Sequence, residues 1–289
     1  MIQNHEDFNL VDNVKKGDRN ATENLIRLHQ EWIYNIAFRM TINREESEDI
    51  TQEILIKILA KIGSFNGKSR LKTWIYRMTV NHVIDMKRKK KEQTVPSFIN
   101  HEEMLRKIDD QEYNLSGISL TESSLLLNET RTGCIMGMLL CLNRKDRLVF
   151  IIGGIMGIDS ITGGEIMSIS AVNFRKILSR ARKRLYSYMN EKCGLFNENN
   201  SCRCSKKTGG SIKKGLVNSD SLKFADLDLS EMRKIAELNI SEFPTEELLS
   251  WKVDKLFSQP KPANYPDFSV YVTEFLNKKQ IQRITEYKE

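Results

Sequence analysis

The sequence predicts an all-α protein: two small helical domains joined by a linker, with an α-rich C-terminal extension. Three observations carry this. Apolar residues recur at steps of three and four through most of the first 190 positions. No convincing alternation of period two occurs before residue 210. Turn signals such as Gly17-Asp18 and Asn66-Gly67 punctuate the chain without any internal repeat. A chain of 289 residues with 40% hydrophobic and 29% charged residues is folded rather than disordered. The longest apolar run, Leu148 to Ile158, is interrupted by glycines and too short to span a bilayer. The start, MIQNHEDF, lacks the architecture of a secretory signal, so a cytosolic location is expected.

In order along the chain, residues 7–42 read as helical, with Phe8, Val11, Val14, Leu25, Leu28, Trp32, Ile36 and Met40 at helical spacings and a break near Gly17-Asp18. Residues 45–63 form a second helix, because Ile50, Ile54, Ile58 and Ile62 repeat every four residues and Leu55 and Leu59 widen the stripe. Phe65 to Ser69 is a turn, and a third helix covers 70–91. Residues 93–130, with Pro96, Gly117 and many polar residues, read as an acidic linker holding a short helix around 101–113. Helices follow at 131–142, 144–156, 160–167 and 171–191. The expected domains are 1–92 and 131–191, then a Cys-containing basic segment at 192–215 and a module at 216–289. Within that module, amphipathic pieces at 230–239 and 245–257 precede a Pro-rich break at 260–266 and a final helix near 268–284.

The formal net charge of +7 becomes informative once localised. Asn66 to Lys91 holds nine basic residues against Asp85 alone, and Arg175 to Lys192 holds seven against Glu191. Glu45 to Glu53 holds five acids and no base. Two basic segments in a near-balanced chain point to two contacts with one polyanion, most economically a nucleic acid.

On the third helix, Trp74, Arg77, Asn81, Asp85 and Arg88 share one face, opposite Leu71, Ile75, Met78, His82 and Met86. An indole for stacking beside guanidiniums for phosphates suits single-stranded nucleic acid. The turn before it, with Lys68, Ser69 and Arg70, is placed to hold an unstacked base. On the second helix, Asp49, Gln52, Glu53 and Ile56 lie away from the isoleucine stripe. An acidic surface next to a basic one repels DNA and fits a basic protein partner.

Further on, a short helix, a tight turn at Ser168 to Ser170 and a basic helix make a helix-turn-helix candidate. Ser170 is placed to cap the second helix, which presents its first turn to DNA. Asn173, Arg175 and Lys176 are candidates for the groove, and Arg180, Arg182, Lys183 and Arg184 for the backbone.

Together these segments resemble the extracytoplasmic-function group of bacterial RNA polymerase sigma factors. The resemblance rests on Asp49-Ile50-Thr51-Gln52-Glu53, on FNGKSRLKTWIYRMTVN from Phe65 to Asn81, on the basic run Lys87 to Lys91, and on Ser179 to Leu185. It covers roughly residues 7–190. It implies that 1–92 opens and reads the −10 promoter element and that 131–190 binds the −35 element as duplex. Asp49, Gln52, Glu53 and Ile56 would then meet the β′ clamp helices of core polymerase, with the β flap as a further contact. Asn66, Lys68, Ser69 and Arg70 would capture a flipped base. Lys72, Trp74, Arg77, Asn81 and Arg88 would line the single-strand path. Ser170, Asn173, Phe174, Arg175, Lys176, Arg180, Arg182 and Lys183 would form the −35 surface. The family also implies an anti-sigma factor as a partner, no membrane contact and no catalytic residues. No nucleotide-binding fingerprint or nucleophile elbow occurs, so the chain reads as not an enzyme. Gly163 and Gly164 depart from the pattern, since each costs roughly 1 kcal/mol in a helix relative to Ala, unless they permit close packing.

Cys134 and Cys141, set among Met and Leu, read as small buried hydrophobes. Cys193, Cys202 and Cys204 are a candidate Zn²⁺ or redox trio, although a closed structural site wants four ligands. The alternative is a reduced, surface-exposed trio. Two other functional readings stand beside the sigma factor: a free-standing helix-turn-helix regulator, and a cysteine-based metal or redox sensor. The aromatic residues of 216–289 suggest a packed module that masks a basic face.

Overall fold

A computed structural model describes residues 2–89, 97–110, 120–218, 220–224, 246–260, 262 and 265–274. The chain divides into two compact units. The first holds residues 1–91, 165–168 and 265–289; the second holds 92–164 and 169–264. The described residues are helical, with no strand among them and a single isolated bridge between Phe224 and Pro262.

In the first unit, α1 (Ile2–Lys15), α2 (Arg19–Thr41), α3 (Arg44–Lys61) and α4 (Leu71–Lys89) follow one another through short links. The expected break falls where Gly17 takes a φ of 82°, open to glycine at little cost. Asp18 then caps α2 by accepting from the Ala21 N–H at 3.1 Å. Between α2 and α3, Ile42 is held left-handed (φ 53°) while its N–H donates to the Phe38 carbonyl at 2.7 Å. Asn43 caps α3 by accepting from the Glu46 N–H at 2.9 Å. The core is made by Leu25, Ile33, Phe38, Ile54, Leu55, Ile75 and Val80, all essentially fully buried. Leu28, placed on the apolar stripe by its spacing, is exposed instead. It lies between Ile26 and His29, whose burial turns the intervening side of the helix outward.

A helix at 268–274 completes this unit. Phe268 and Val272 are buried, the Phe268 N–H donates to Gln30 Oε1 at 2.9 Å, and the rings of Phe268 and Tyr265 lie 6.0 and 5.8 Å from Tyr34. Residues 265–274 are thus a structural part of a unit whose main stretch ends, in sequence, at residue 91.

The second unit contains α5 (Phe98–Arg106), α6 (Leu120–Leu140), α7 (Arg144–Phe150) with a π-helical turn at Ile151–Ile155, the start of α8 (Ser160–Met167), whose residues from Glu165 on group with the first unit, α9 (Ala171–Lys192), α10 (Cys204–Lys213) and α11 (Glu246–Ser258). Its core gathers Leu139, Leu148, Phe150, Ile152, Phe174, Leu185 and Phe257. The acidic linker expected at 93–130 is in part helix: α5 lies earlier than the 101–113 expected, and α6 begins at Leu120. Glu129 and Thr130 are buried there because their polar groups find partners, the Thr130 hydroxyl donating to the Leu126 carbonyl at 2.8 Å. The Glu129 carboxylate, for example, accepts from the Lys223 N–H at 2.7 Å and the Phe224 N–H at 3.3 Å. Polar composition had pointed to solvent; satisfied hydrogen bonds permit burial. The amphipathic pieces expected at 245–257 and near 268–284 match α11 and the helix at 268–274, whereas 230–239 and the residues after 274 lie outside the described residues. Among the described residues, no helix is long and apolar enough to cross a membrane.

Candidate nucleic-acid interface

The acidic face comes first in the chain. On α3, Asp49 and Glu53 are exposed and Gln52 and Ile56 half-buried, while Ile50, Ile54 and Ile58 are sealed beneath them. The 3.6-residue repeat alone produces this division. Glu53 Oε2 lies 3.3 Å from His82 Nε2 of α4, which ties the acidic helix to the basic one.

Between these helices, a short 3₁₀ turn at Ile62–Ser64 leads into a loop whose conformation is set by three residues. Phe65 is buried and anchors the loop. The Asn66 side chain accepts from the Lys68 N–H at 3.2 Å, closing an Asx turn. Gly67 has a φ of 71°, and the Phe8 ring sits so close that a Cβ there would lie 2.2 Å from it. Asn66, Lys68 and Arg70 are exposed and Ser69 partly so.

Beyond the loop, Trp74 is half-buried and meets the Phe65 ring edge-on at 5.8 Å. Lys72 and Asn81 are exposed. Arg77 is half-buried and donates to the Glu165 carbonyl at 3.1 Å and its carboxylate at 3.3 Å. Loop and helix therefore bring an indole, an amide and several cations to one accessible surface. Arg88 lies within α4, but its side chain is outside the described residues.

Below this surface, Trp32 stacks on Tyr76 at 4.0 Å and donates from Nε1 to His29 Nδ1 at 3.2 Å. Burial, reinforced by Lys72, pushes the His29 imidazole down to about 4. The ring is neutral at physiological pH, and its Nδ1 lone pair remains available to Trp32. Sequence reasoning missed this trio, because nothing in the spacing of positions 29, 32 and 76 distinguishes it from ordinary core.

In the second unit, Asp159 Oδ1 caps α8 by accepting from the Ile161 and Thr162 N–H groups at 2.8 and 3.0 Å. Ser168 takes a φ of 54°, and Ser170 caps α9 by accepting from the Asn173 N–H at 3.2 Å. The two glycines that depart from the usual pattern have steric reasons. A Cβ on Gly163 would lie 2.5 Å from the Phe174 ring, and one on Gly164 would lie 2.8 Å from the Ile169 carbonyl oxygen. They permit close packing of the helix-turn-helix.

Of the residues expected to form the duplex-binding surface, Asn173, Arg175, Lys176 and Lys183 are exposed, Arg175 donating to Ser160 Oγ at 2.9 Å. Two expectations need correction. Phe174 is fully buried between Gly153 and Gly163 and cannot touch DNA, because it belongs to the apolar stripe of α9 that continues through Ile177, Leu178 and Ala181. Arg182 is mostly buried and its guanidinium grips both carboxylate oxygens of Asp254 on α11. That ion pair turns it away from solvent. Arg180 retains an exposed side chain but is held by Asp146, at 2.7 Å from Nη2 to Oδ1 and 3.3 Å from Nε to Oδ2. Arg184 approaches the same buried carboxylate at 3.7 Å. Asp146 orients two arginines of α9, a role its sequence context did not suggest.

The cysteines are all free. Among the described residues, no three His, Cys, Asp or Glu side chains already surround one point as a metal ion requires. Cys193, Cys202 and Cys204 are only partly exposed, so they are not the surface trio that their polar surroundings suggested.

Comparison with known proteins fits this geometry. Residues 25–93, spanning most of α2 through α4, match the family Sigma-70 region 2. The chain is 30% identical over 178 residues to the ECF RNA polymerase sigma factor SigW of Bacillus subtilis, covering 61% of this chain and 92% of that protein. It is 33% identical over 81 residues to the RNA polymerase sigma-H factor of Pseudomonas aeruginosa, covering 28% of this chain and 42% of that one. The ECF RNA polymerase sigma-E factor of Haemophilus influenzae is 35% identical over 81 residues, again 28% of this chain and 42% of that one. Among solved structures, CnrH in complex with the cytosolic domain of CnrY is similar at a TM-score of 0.45 and 16% identity, covering 64% of this chain and 97% of that one. With SigW matched along nearly its whole length, this chain belongs to the ECF group of RNA polymerase sigma factors.

Proposed function

We propose that this chain binds core RNA polymerase through the acidic face of α3 and directs promoter-specific initiation. The loop 66–70 and the Trp74, Arg77, Asn81 face of α4 read the −10 element as melted strand. The first turns of α9 read the −35 element as duplex. The nucleotidyl transfer itself belongs to the polymerase, so this chain is not an enzyme and its transcription role needs no cofactor. As a subunit acting on the chromosome it works in the cytoplasm.

One observation carries the reading: a single helical unit presents an exposed carboxylate surface at Asp49 and Glu53 and, on the next helix, a half-exposed indole beside cations. A duplex-only regulator has no use for the second surface, since stacking on Trp74 requires unpaired bases. The ion pair between Arg182 and Asp254 adds a restraint, because α11 holds one of the cations of α9 away from DNA.

Reconstituted transcription with purified core polymerase tests this. The wild-type chain should bind core and start transcripts at discrete promoters. The double substitution Asp49→Lys and Glu53→Lys should abolish core binding, with the fold intact because both side chains are exposed. Trp74→Ala should retain core binding and lose promoter opening, read as permanganate reactivity of unpaired thymines. A wild-type chain that neither binds core nor initiates from any genomic promoter would refute the reading.

A further inference from the structure

Four of the five cysteines lie on segments that meet in the second unit although up to 70 positions separate them in the chain. Cys134 lies on α6, its Sγ 4.0 Å from His101 Nε2. Cys193 ends α9, and its carbonyl accepts from the N–H groups of Phe196 and Asn197 at 3.1 and 2.9 Å and from Asn200 Nδ2 at 3.2 Å. These bonds fold the following loop back on itself. Cys202 arrives against Gly194 so closely that a Cβ there would lie 2.2 Å from the Cys202 carbonyl oxygen. Cys204 opens α10, which packs along α6, the helix that carries Cys134.

His101, 4.0 Å from Cys134, also meets the Tyr188 hydroxyl of α9 at 2.9 Å, so α6, α9 and α10 come together here, and the charges felt by the buried thiols agree with that packing. Burial raises the Cys134, Cys193 and Cys202 thiols, and after burial Cys204 is the leading charge acting on each of them. Cys134 senses Cys193 and Cys202 as well. Cys141, just past the end of α6, is also raised by burial; Cys134 senses it least of the four other cysteines, it senses Arg147 and Arg184 in turn, and its Sγ donates to the Gly137 carbonyl at 3.5 Å.

We propose that Cys134, Cys193, Cys202 and Cys204 are the four ligands of a structural site for a thiophilic divalent cation of the zinc class. Sequence spacing offers three of them; the fold supplies Cys134 as the fourth, and four thiolates make a closed tetrahedral set. Binding breaks four S–H bonds, releases four protons to solvent and forms four metal–sulfur bonds, with no change of oxidation state. The surplus negative charge falls beside Arg203, Lys206 and Lys207. Because the thiols do not yet surround one point, the side chains swing inward as the ion enters, which is the usual coupling of metal binding to local folding. A cavity of about 500 Å³, bordered by Glu102, Tyr188, Cys202 and Lys207, opens beside one of the four ligands.

The site would fasten α10, the first element of the extension, to α6 and α9.

The test uses the full chain, purified under reducing conditions and titrated with Co²⁺ as a spectroscopic stand-in and with Zn²⁺ as competitor. One ion per chain is expected, with thiolate-to-cobalt charge-transfer absorption and the intense d–d bands of a tetrahedral sulfur site. Cys134→Ser should lose this signal as thoroughly as Cys193→Ser, and Cys141→Ser should retain it. Should Cys134→Ser fail to fold, alkylation of the wild-type chain still decides. Chelation should expose Cys134, Cys193, Cys202 and Cys204 together and leave Cys141 unchanged. Full stoichiometry in a folded Cys134→Ser chain, absence of Co²⁺ binding by the wild type, protection that omits Cys134, or a native disulfide within the group would overturn the proposal.

Discussion

Replacing Gly163 by alanine separates helix propensity from packing in the helix-turn-helix. In an ordinary helix interior the change stabilises by about 1 kcal/mol. Here the new methyl would lie 2.5, 2.6 and 2.9 Å from three carbons of the Phe174 ring, against the roughly 3.5–4.0 Å at which carbon atoms rest. The ring cannot yield easily. It is fully buried, and on its other side Gly153 already leaves only 2.9 and 3.1 Å for a Cβ. Overpacking costs about 1–3 kcal/mol, and an overlap of about 1 Å with three atoms belongs at the upper end. The expected net effect is a loss of about 2 kcal/mol, or roughly thirtyfold in the opening equilibrium at about 1.4 kcal/mol per decade. Hydrogen exchange of the α9 amides reads this in the second unit alone, as a roughly thirtyfold fall in protection. In a Phe174→Leu background the obstacle is gone, so the same Gly163→Ala change should become neutral or stabilising. A rise in protection in the wild-type background, or an equal loss in both backgrounds, would refute the steric argument.

Two other outcomes are expected. His29 is depressed to about 4 from an ordinary 6.5, so the unfolded chain takes up a proton first as pH falls. The contribution is complete above about pH 6.5 and declines below it, by about 2 kcal/mol at pH 5. Urea denaturation of the first unit should show this slope, and His29→Gln, which still accepts from Trp32, should flatten it; an unchanged slope would exclude His29 as the source. Asp254→Asn should release Arg182 from α11, strengthen binding of the full chain to −35 duplex a few-fold, and steepen the log–log salt dependence by about 0.9. Unaltered affinity and slope would mean that Arg182 does not reach phosphate even when free.

Much of this architecture can be read from local signals, because helices are local structures. The 3.6-residue repeat places α2, α3, α4 and α9 within a few residues of their observed ends, and Asp18, Asn43 and Ser170 cap three of those helices as their side chains predispose them to. The acidic face of α3 is legible for the same reason: Ile50, Ile54 and Ile58 can be buried only if Asp49 and Glu53 point away. What depends on distant parts of the chain meeting is not written in any local pattern. Phe174 carries no mark that separates a base-stacking ring from a core ring; two glycines brought against it decide the matter. Arg182 reads as a phosphate contact until Asp254 arrives from α11, and Cys134 reads as a small hydrophobe until α10 brings Cys204 toward it. Periodicity determines which way a side chain faces relative to its own helix, and only tertiary packing determines what it then meets.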